Sequence, residues 1–174
     1  MKKILSHRGD VLFSSRRELS PREILTAAIA ENVSLLGAVL VGLDLRGLAL
    51  PFGSDLSGVT FVRSDLAHAE LNGVVLDRSF LMGADIRSAS FRQASARHAF
   101  FDRCYASAAD FREADLRDSG FEGADLSDAR LRGARVRGTR FWRTSLIGAT
   151  GFGGSHFNGS NTFLADLTPA VSIV

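Results

Sequence analysis

The residues whose chemistry is clearest are arginines near the C-terminal end of the chain. Between residues 128 and 143 the only carboxylate is that of Asp128. The arginines in this stretch are Arg130, Arg132, Arg135, Arg137, Arg140 and Arg143. A guanidinium forms two parallel hydrogen bonds with a carboxylate or a phosphate, so the cluster indicates a surface for an acidic protein, a nucleic acid or a membrane surface. A solvated surface that only keeps the protein soluble is the alternative.

Enzyme and metal chemistry has no matching pattern. The four histidines are far apart, at His7, His68, His98 and His156. Cys104 occupies a small, inward position of the repeat described below, which favours a buried, inert thiol over a nucleophile or a ligand. The glycine-rich segment 151–156 precedes no helix and holds no lysine, so it indicates a turn rather than a phosphate-binding loop. We therefore expect no enzymatic activity, no metal and no cofactor.

The elements that must position these arginines follow a period of five residues. From Leu56 to Leu146 a large apolar residue recurs at almost every fifth position, a small residue lies two positions before it, and glycine often follows. A helix repeats every 3.6 residues and a strand every 2, so this period fits neither element alone. It predicts short strands joined by corners and wound into a solenoid, with leucine and phenylalanine filling the axis.

The composition agrees with one folded domain. The 174 residues are 45% hydrophobic and 23% charged, carry a net charge of +2 and include one cysteine, which excludes disorder and an internal disulfide framework. No stretch is apolar over the roughly 18 residues that a membrane helix needs, and the basic start lacks the apolar core of a secretory signal. We expect a cytoplasmic protein without membrane insertion.

Individual repeat units resemble those of the pentapeptide-repeat proteins. Clear examples are Ala84-Asp85-Ile86, Ala114-Asp115-Leu116 and Ala124-Asp125-Leu126. The resemblance implies an all-β solenoid, namely a right-handed quadrilateral β-helix with four pentapeptides in each coil. It covers residues 35–167, for which we expect six to seven coils and a length of about 30 Å. The family shares an architecture and not a reaction.

The ends of the rod need covers, because an open coil exposes unpaired backbone groups. We expect residues 1–34 to form a small N-terminal hairpin-plus-helix cap, with a capping box at Ser20 opening a helix that runs to about Glu31. One extra residue near Pro51 must bulge from a coil, and the repeat slips again at Gly151. Residues 168–174 form a short apolar tail that either covers the last coil or contacts a second chain. The second possibility makes a homodimer, as the resemblance to members that act on topoisomerases implies.

With four units per coil, residues twenty apart stack on one side of the rod. Two arginine ladders then lie on adjacent sides, at Arg92, Arg112 and Arg132 and at Arg97, Arg117 and Arg137. Asp110 and Asp115 can balance the middle rungs. An acidic column on a third side consists of Asp65, Asp85 and Asp125. On the fourth side Phe80 lies beneath Phe100, an outward aromatic pair that marks an interface more often than a chance exposure.

These surfaces predict a non-catalytic protein-interaction scaffold. Its partner is an unidentified protein that docks on the Arg-rich side or on the Phe80 and Phe100 patch. One alternative is a DNA mimic that modulates DNA gyrase or another topoisomerase through the acidic column, an activity that the resemblance implies but the net charge of +2 disfavours. The other is non-specific nucleic-acid binding through the Arg cluster, which lacks an aromatic row for base stacking.

Overall fold

The computed structural model describes residues 3–151. An antiparallel hairpin opens the chain, with strand β1 at Lys3–Leu5 and strand β2 at Val11–Ser14. The Ser6 side chain closes the turn by hydrogen bonding to the Asp10 carboxylate at 3.0 Å. Ile4 and Phe13 pair across the strands and are both buried, so one side of the hairpin joins the core.

Helix α1 spans Pro21–Ala30 and follows from its N-terminal residues. The Ser20 hydroxyl accepts the Glu23 N–H, and the Glu23 carboxylate accepts the Ser20 N–H at 2.8 Å, which completes the capping box. Ile24, Leu25 and Ala28 lie one turn or less apart and are buried, so this stripe packs on the hydrophobic core. The helix ends at its C-cap, Glu31, as its sequence predicts.

The rest of the described chain is a right-handed quadrilateral β-helix, which confirms the predicted all-β solenoid. Parallel bridges join residues twenty apart, as between Phe80 and Phe100. The residue just before each large inward residue donates its N–H to the coil before it, and the inward residue donates to the coil after it, as at Phe80 and Leu81. One column has six rungs, about 24 Å from end to end at the usual spacing of neighbouring strands. Its rungs are Val39, Thr60, Phe80, Phe100, Gly120 and Arg140.

The inward residues of the described coils are buried and fill the axis. Phenylalanine rings stack from coil to coil, with centroids 4.6 Å apart for Phe101 and Phe121 and 5.1 Å apart for Phe91 and Phe111. Cys104 occupies a small inward position and is buried, as predicted. Burial raises the pKa of its thiol well above the usual range, so the thiolate form is strongly disfavoured.

The predicted extra residue is present and lies at a corner of the rod. Bridges before it join residues twenty-one apart, as between Ala49 and Glu70, and the separation returns to twenty at Asp55. The insertion pushes Phe52 outward, where its ring lies against Gly73 of the next coil. A Cβ atom on Gly73 would collide with that ring, and the backbone there has a positive φ of +64°, so both favour glycine at this position. The expected slip at Gly151 and the tail at 168–174 extend beyond the described residues.

Candidate docking surface on the basic side

The two arginine ladders lie on adjacent sides of the rod. In the first, Gln93 donates its backbone N–H to the Arg112 carbonyl, and the equivalent bond from the next coil reaches Arg132. In the second, the corresponding bonds reach Arg117 and Arg137. The stacking predicted from the twenty-residue spacing is therefore present at every described rung.

The middle rungs of both ladders, and the lowest rung of the second, are neutralised within the rod. Arg112 forms a two-point ion pair with Asp110, and Arg117 forms the same pair with Asp115, each with an Nη2 to Oδ2 distance of 2.5 Å. Burial alone would raise the pKa of Asp110, but the hydrogen bonds from Arg112 outweigh burial and lower the pKa. Arg97 instead pairs with Asp77 in the coil before it, at 2.7 Å. Arg97, Arg112 and Arg117 are thus each matched by a carboxylate, whereas Arg92 has no ion pair among the described residues.

The upper rungs are not neutralised in the same way. Arg130 and Arg135 stack directly above Asp110 and Asp115, but those carboxylates are already bound by Arg112 and Arg117. Across residues 3–151 no carboxylate forms an ion pair with any of the four exposed arginines in these rungs. We call these four the basic surface, and its members are Arg130, Arg132, Arg135 and Arg137.

Arg140 and Arg143 lie outside the basic surface, although the sequence groups them with it. Arg140 belongs to the column of Phe80 and Phe100 and pairs with Glu122, with Nε 2.9 Å from Oε1. The Arg143 guanidinium lies 4.4 Å from the centre of the Trp142 ring, which is a cation–π contact. A search for carboxylates between residues 128 and 143 cannot find Glu122, because the partner belongs to the preceding coil.

The aromatic pair forms as predicted but is only partly exposed. The Phe80 and Phe100 rings are parallel, with centroids 5.3 Å apart. The next rung, Gly120, has no side chain, and the space beside it is taken by the Asp102 carboxylate and the Arg140 guanidinium. Burial and the neighbouring Glu122 raise the pKa of Asp102. Polar groups therefore close the upper end of the pair and reduce the apolar area open to a partner.

The acidic column is largely compensated inside the molecule. Asp65, Asp85 and Asp125 stack in one column, with Tyr105 between the last two. Asp65 lies 3.3 Å from the Arg46 guanidinium, and hydrogen bonds from Arg87 lower the pKa of Asp85. The column is thus interrupted, and two of its three predicted carboxylates have a basic partner.

A pocket at the N-terminal end of the rod was not predicted from the sequence. It measures about 670 Å³ and lies between the end of α1 and the first coils. Two exposed apolar side chains, Leu36 and Phe52, stand at its rim. The pocket is formed by the end of α1, the first coil and the segment around the extra residue, which are separate in the sequence. The break in the five-residue period near Phe52 was the sequence feature that pointed to this place.

A family model for pentapeptide repeats matches residues 52–87, 84–123 and 124–161, with eight copies of the repeat. The chain belongs to the pentapeptide-repeat family. Members of this family are generally non-enzymatic structural or interaction proteins. A comparison with curated proteins found no match.

Several solved pentapeptide-repeat proteins are similar in structure. The protein alr5209 from Nostoc Pcc 7120 is 28% identical over 59% of this chain and 83% of its own, with a TM-score of 0.51. Rfr23 from the cyanobacterium Cyanothece 51142 is 20% identical over 74% of this chain and 90% of its own, with a TM-score of 0.36. QnrB1, a plasmid-mediated fluoroquinolone resistance protein, is 20% identical over 74% of each chain, with a TM-score of 0.29.

Within residues 3–151 of this pentapeptide-repeat chain, the histidine, cysteine, aspartate and glutamate side chains do not gather in any group of three that could hold a metal ion. No helix in the same range is long and apolar enough to cross a membrane.

Proposed function

We propose that this pentapeptide-repeat chain is a non-catalytic docking rod that binds an acidic protein at the basic surface. One observation carries the proposal. The four exposed guanidiniums of the basic surface have no ion pair within the described chain, whereas the rungs just below them in the same ladders are each matched by an aspartate.

The physical argument concerns like charges on one coil. Arg130 and Arg132 share one coil side, and Arg135 and Arg137 share the next, so four positive charges lie close together on a rigid backbone. Like charges gathered on one part of a surface repel each other and cost free energy. Carboxylates from a partner would remove this repulsion and accept charge-assisted hydrogen bonds at the same time.

The alternatives receive less support from the surrounding residues. Bound nucleic acid would satisfy the guanidiniums through its phosphates, but the columns that carry Arg130 and Arg135 of the basic surface have no aromatic ring among their described rungs on which its bases could stack. A DNA mimic of the gyrase-binding kind needs a free acidic surface, and Asp65 and Asp85 are occupied by Arg46 and Arg87. The Phe80 and Phe100 patch offers a partly buried surface only.

The proposal is tested with defined probes, a fluorescent oligoglutamate peptide and a fluorescent DNA duplex, at two salt concentrations. The double variant Arg132→Glu/Arg137→Glu should weaken peptide binding by at least about tenfold, since hydrogen bonds to charged groups contribute about 1.5–3 kcal/mol each. The control Arg63→Glu/Arg103→Glu makes the same charge change at a different place on the rod. It should bind the peptide much more tightly than Arg132→Glu/Arg137→Glu does.

Three outcomes would contradict the proposal. Equal weakening by both double variants would mean that net charge, not the basic surface, holds the peptide. Tighter binding of the duplex than of the peptide, lost in the same variant, would favour nucleic acid. Weakening by Phe100→Ser, with no effect of Arg132→Glu/Arg137→Glu, would move the dock to the aromatic pair.

A further inference from the structure

The N-terminal pocket and two members of the basic surface, Arg135 and Arg137, lie on the same side of the rod. Asp55 lines the pocket, and a continuous column of bridges runs from it to Arg135 of the basic surface. The rungs between them are Val75, Ser95 and Asp115. Four coil steps separate the ends, which corresponds to about 19 Å. A single partner segment lying along the rod could therefore contact both.

The pocket has the features of an anchor site for an apolar side chain. Ile29, Ala30 and Val33 line it from the end of α1 and the following turn. At the rim, 69% of Leu36 and 72% of Phe52 remain exposed, more than any other large apolar side chain in the described chain. Exposed apolar groups around a concave site mark interfaces, because a partner's side chain can bury them together.

The charges on this side change sign along the rod. Asp77 and Asp115, in its middle, are paired with Arg97 and Arg117 and add no net charge. In the column from Asp55 to Arg135 and the ladder beside it, the charges without an ion pair among the described residues are Asp55 at the pocket end and Arg135 and Arg137 at the other end. A complementary partner carries its carboxylates at one end only, away from the pocket.

The track between the two ends is shallow. Its central rungs, Val75 and Ser95, are small and partly buried, and the ion pair of Asp77 and Arg97 stands beside them. An extended chain fits such a track better than a helix, which is about 10 Å wide with its side chains. At about 3.3 Å per residue, roughly six extended residues span the 19 Å between the ends.

We propose that this side of the rod binds an extended acidic segment in one direction, with an apolar side chain in the N-terminal pocket and carboxylates on Arg135 and Arg137. The inference rests on the proposed function and adds to it an anchor, a direction and a spacing. The partner class is a protein segment in which about six residues separate an apolar residue from a run of acidic ones.

The test uses three fluorescent peptides and the full chain, with anisotropy as the readout. The first peptide carries leucine, a six-residue Gly/Ser spacer and four glutamates; the second replaces leucine by serine; the third shortens the spacer to two residues. The first should bind at least about tenfold tighter than the other two, because only it reaches both sites.

Variants of the chain then separate the two sites. Leu36→Ser/Phe52→Ser should remove the advantage of the leucine peptide and leave the serine peptide unchanged. Ile147→Ser, which changes an exposed apolar side chain on another side, should change neither. Arg135→Glu/Arg137→Glu should weaken all three peptides. Circular dichroism checks that each variant is folded.

The outcomes distinguish the two proposals. If the leucine and serine peptides bind equally and both are lost in the arginine variant, the docking rod stands and the anchored, directional segment is wrong. If the two-residue spacer binds as well as the six-residue spacer, the spacing is wrong. If the arginine variant changes nothing, the proposed function itself fails, and with it this inference.

Discussion

At the scale of single residues, Asp102 is a carboxylate whose charged form is disfavoured by its surroundings. Its side chain accepts the Glu122 N–H at 2.8 Å beside Gly120. Burial first, and then the Glu122 carboxylate, raise its pKa above the usual value for an aspartate. The folded chain then binds the proton more tightly than the unfolded chain, so stability is lost as pH rises through the folded pKa and stays lower at neutral pH.

Replacing Asp102 by asparagine removes this cost, because an amide oxygen can still accept the Glu122 N–H. We expect Asp102→Asn to be more stable than the parent at about pH 7 and equally stable at about pH 3, where the aspartate is protonated in both states. Urea unfolding at the two pH values measures the difference.

The matched control is Asp110→Asn. Arg112 lowers the pKa of Asp110 despite its burial, so the sign is opposite. This variant should be less stable than the parent at neutral pH, and the difference should shrink in acid. A gain of stability in both variants at neutral pH would show that the two sites do not differ as described.

The sequence predicts the columns at this scale but not the pairing within them. Arg112 takes Asp110 of its own coil, whereas Arg97, at the equivalent place on the adjacent side, takes Asp77 of the coil before. The difference is whether an aspartate lies two residues earlier: Arg112 has one there, and Arg97 has Ser95, which itself donates to Asp77. Side-chain reach and competition between rungs decide such pairs, and a period of five residues does not encode them.

At the scale of the elements, the corners carry the main local strain of the coils. The residue two places after each large inward residue adopts a left-handed conformation, with φ of +58° at Ala108 and +66° at Gly123. Glycine tolerates this conformation, whereas it costs other L-residues about 1–2 kcal/mol. A Cβ atom on Gly123 would meet nothing closer than Arg103 Cγ at 3.6 Å, so only the backbone opposes substitution there.

Opposite changes at these two corners should therefore have opposite effects. Ala108→Gly should stabilise the chain by up to about 1 kcal/mol, because relief at the corner outweighs the added freedom of the unfolded chain. Gly123→Ala should destabilise it by about 1–2 kcal/mol. Chemical denaturation measures both free energies of unfolding. A loss of stability in Ala108→Gly would contradict the left-handed corner.

At the scale of the whole molecule, the coil of twenty residues is the unit that can be removed. Deleting residues 87–106 takes out one coil and joins positions that are equivalent in the repeat. Deleting residues 87–101 also keeps the five-residue register but turns everything beyond it by a quarter of a coil. Both shortened chains should fold, because each coil contacts only its neighbours, and both should be less stable than the parent.

The two deletions differ in what happens to the side shared by the pocket and by Arg135 and Arg137 of the basic surface. The first keeps both on one side and brings them about 4.8 Å closer, so the leucine-dependent advantage should persist with a shorter spacer. The second places them on adjacent sides and should abolish that advantage. Far-ultraviolet circular dichroism and the peptide assay measure the two results. Unfolding by the first deletion but not by the second would contradict the twenty-residue coil.

The solenoid was predictable from the sequence because the same pattern of small and large inward residues recurs in almost every repeat. A missed unit, such as Ala96 or Ala106 in place of a large inward residue, does not hide a pattern that its neighbours repeat. The pocket was not predictable, because it depends on how α1, which has no repeat, is placed against the inserted Phe52. Features built once per chain give no periodic signal.

The constant step of the coil also bears on how the chain acquires its structure. Backbone bonds between coils join residues 19 to 22 apart, as from Leu66 to Asp85, whatever their place in the rod. The entropy lost in closing a coil is therefore nearly the same for every described coil. For the same reason, the mean sequence separation between contacting residues does not grow as coils are added. The hairpin and α1 precede the coils in the chain, so they leave the ribosome before them and offer an edge on which the first coil can close. We expect winding to proceed during synthesis, one coil behind the growing chain, without waiting for the C-terminal residues.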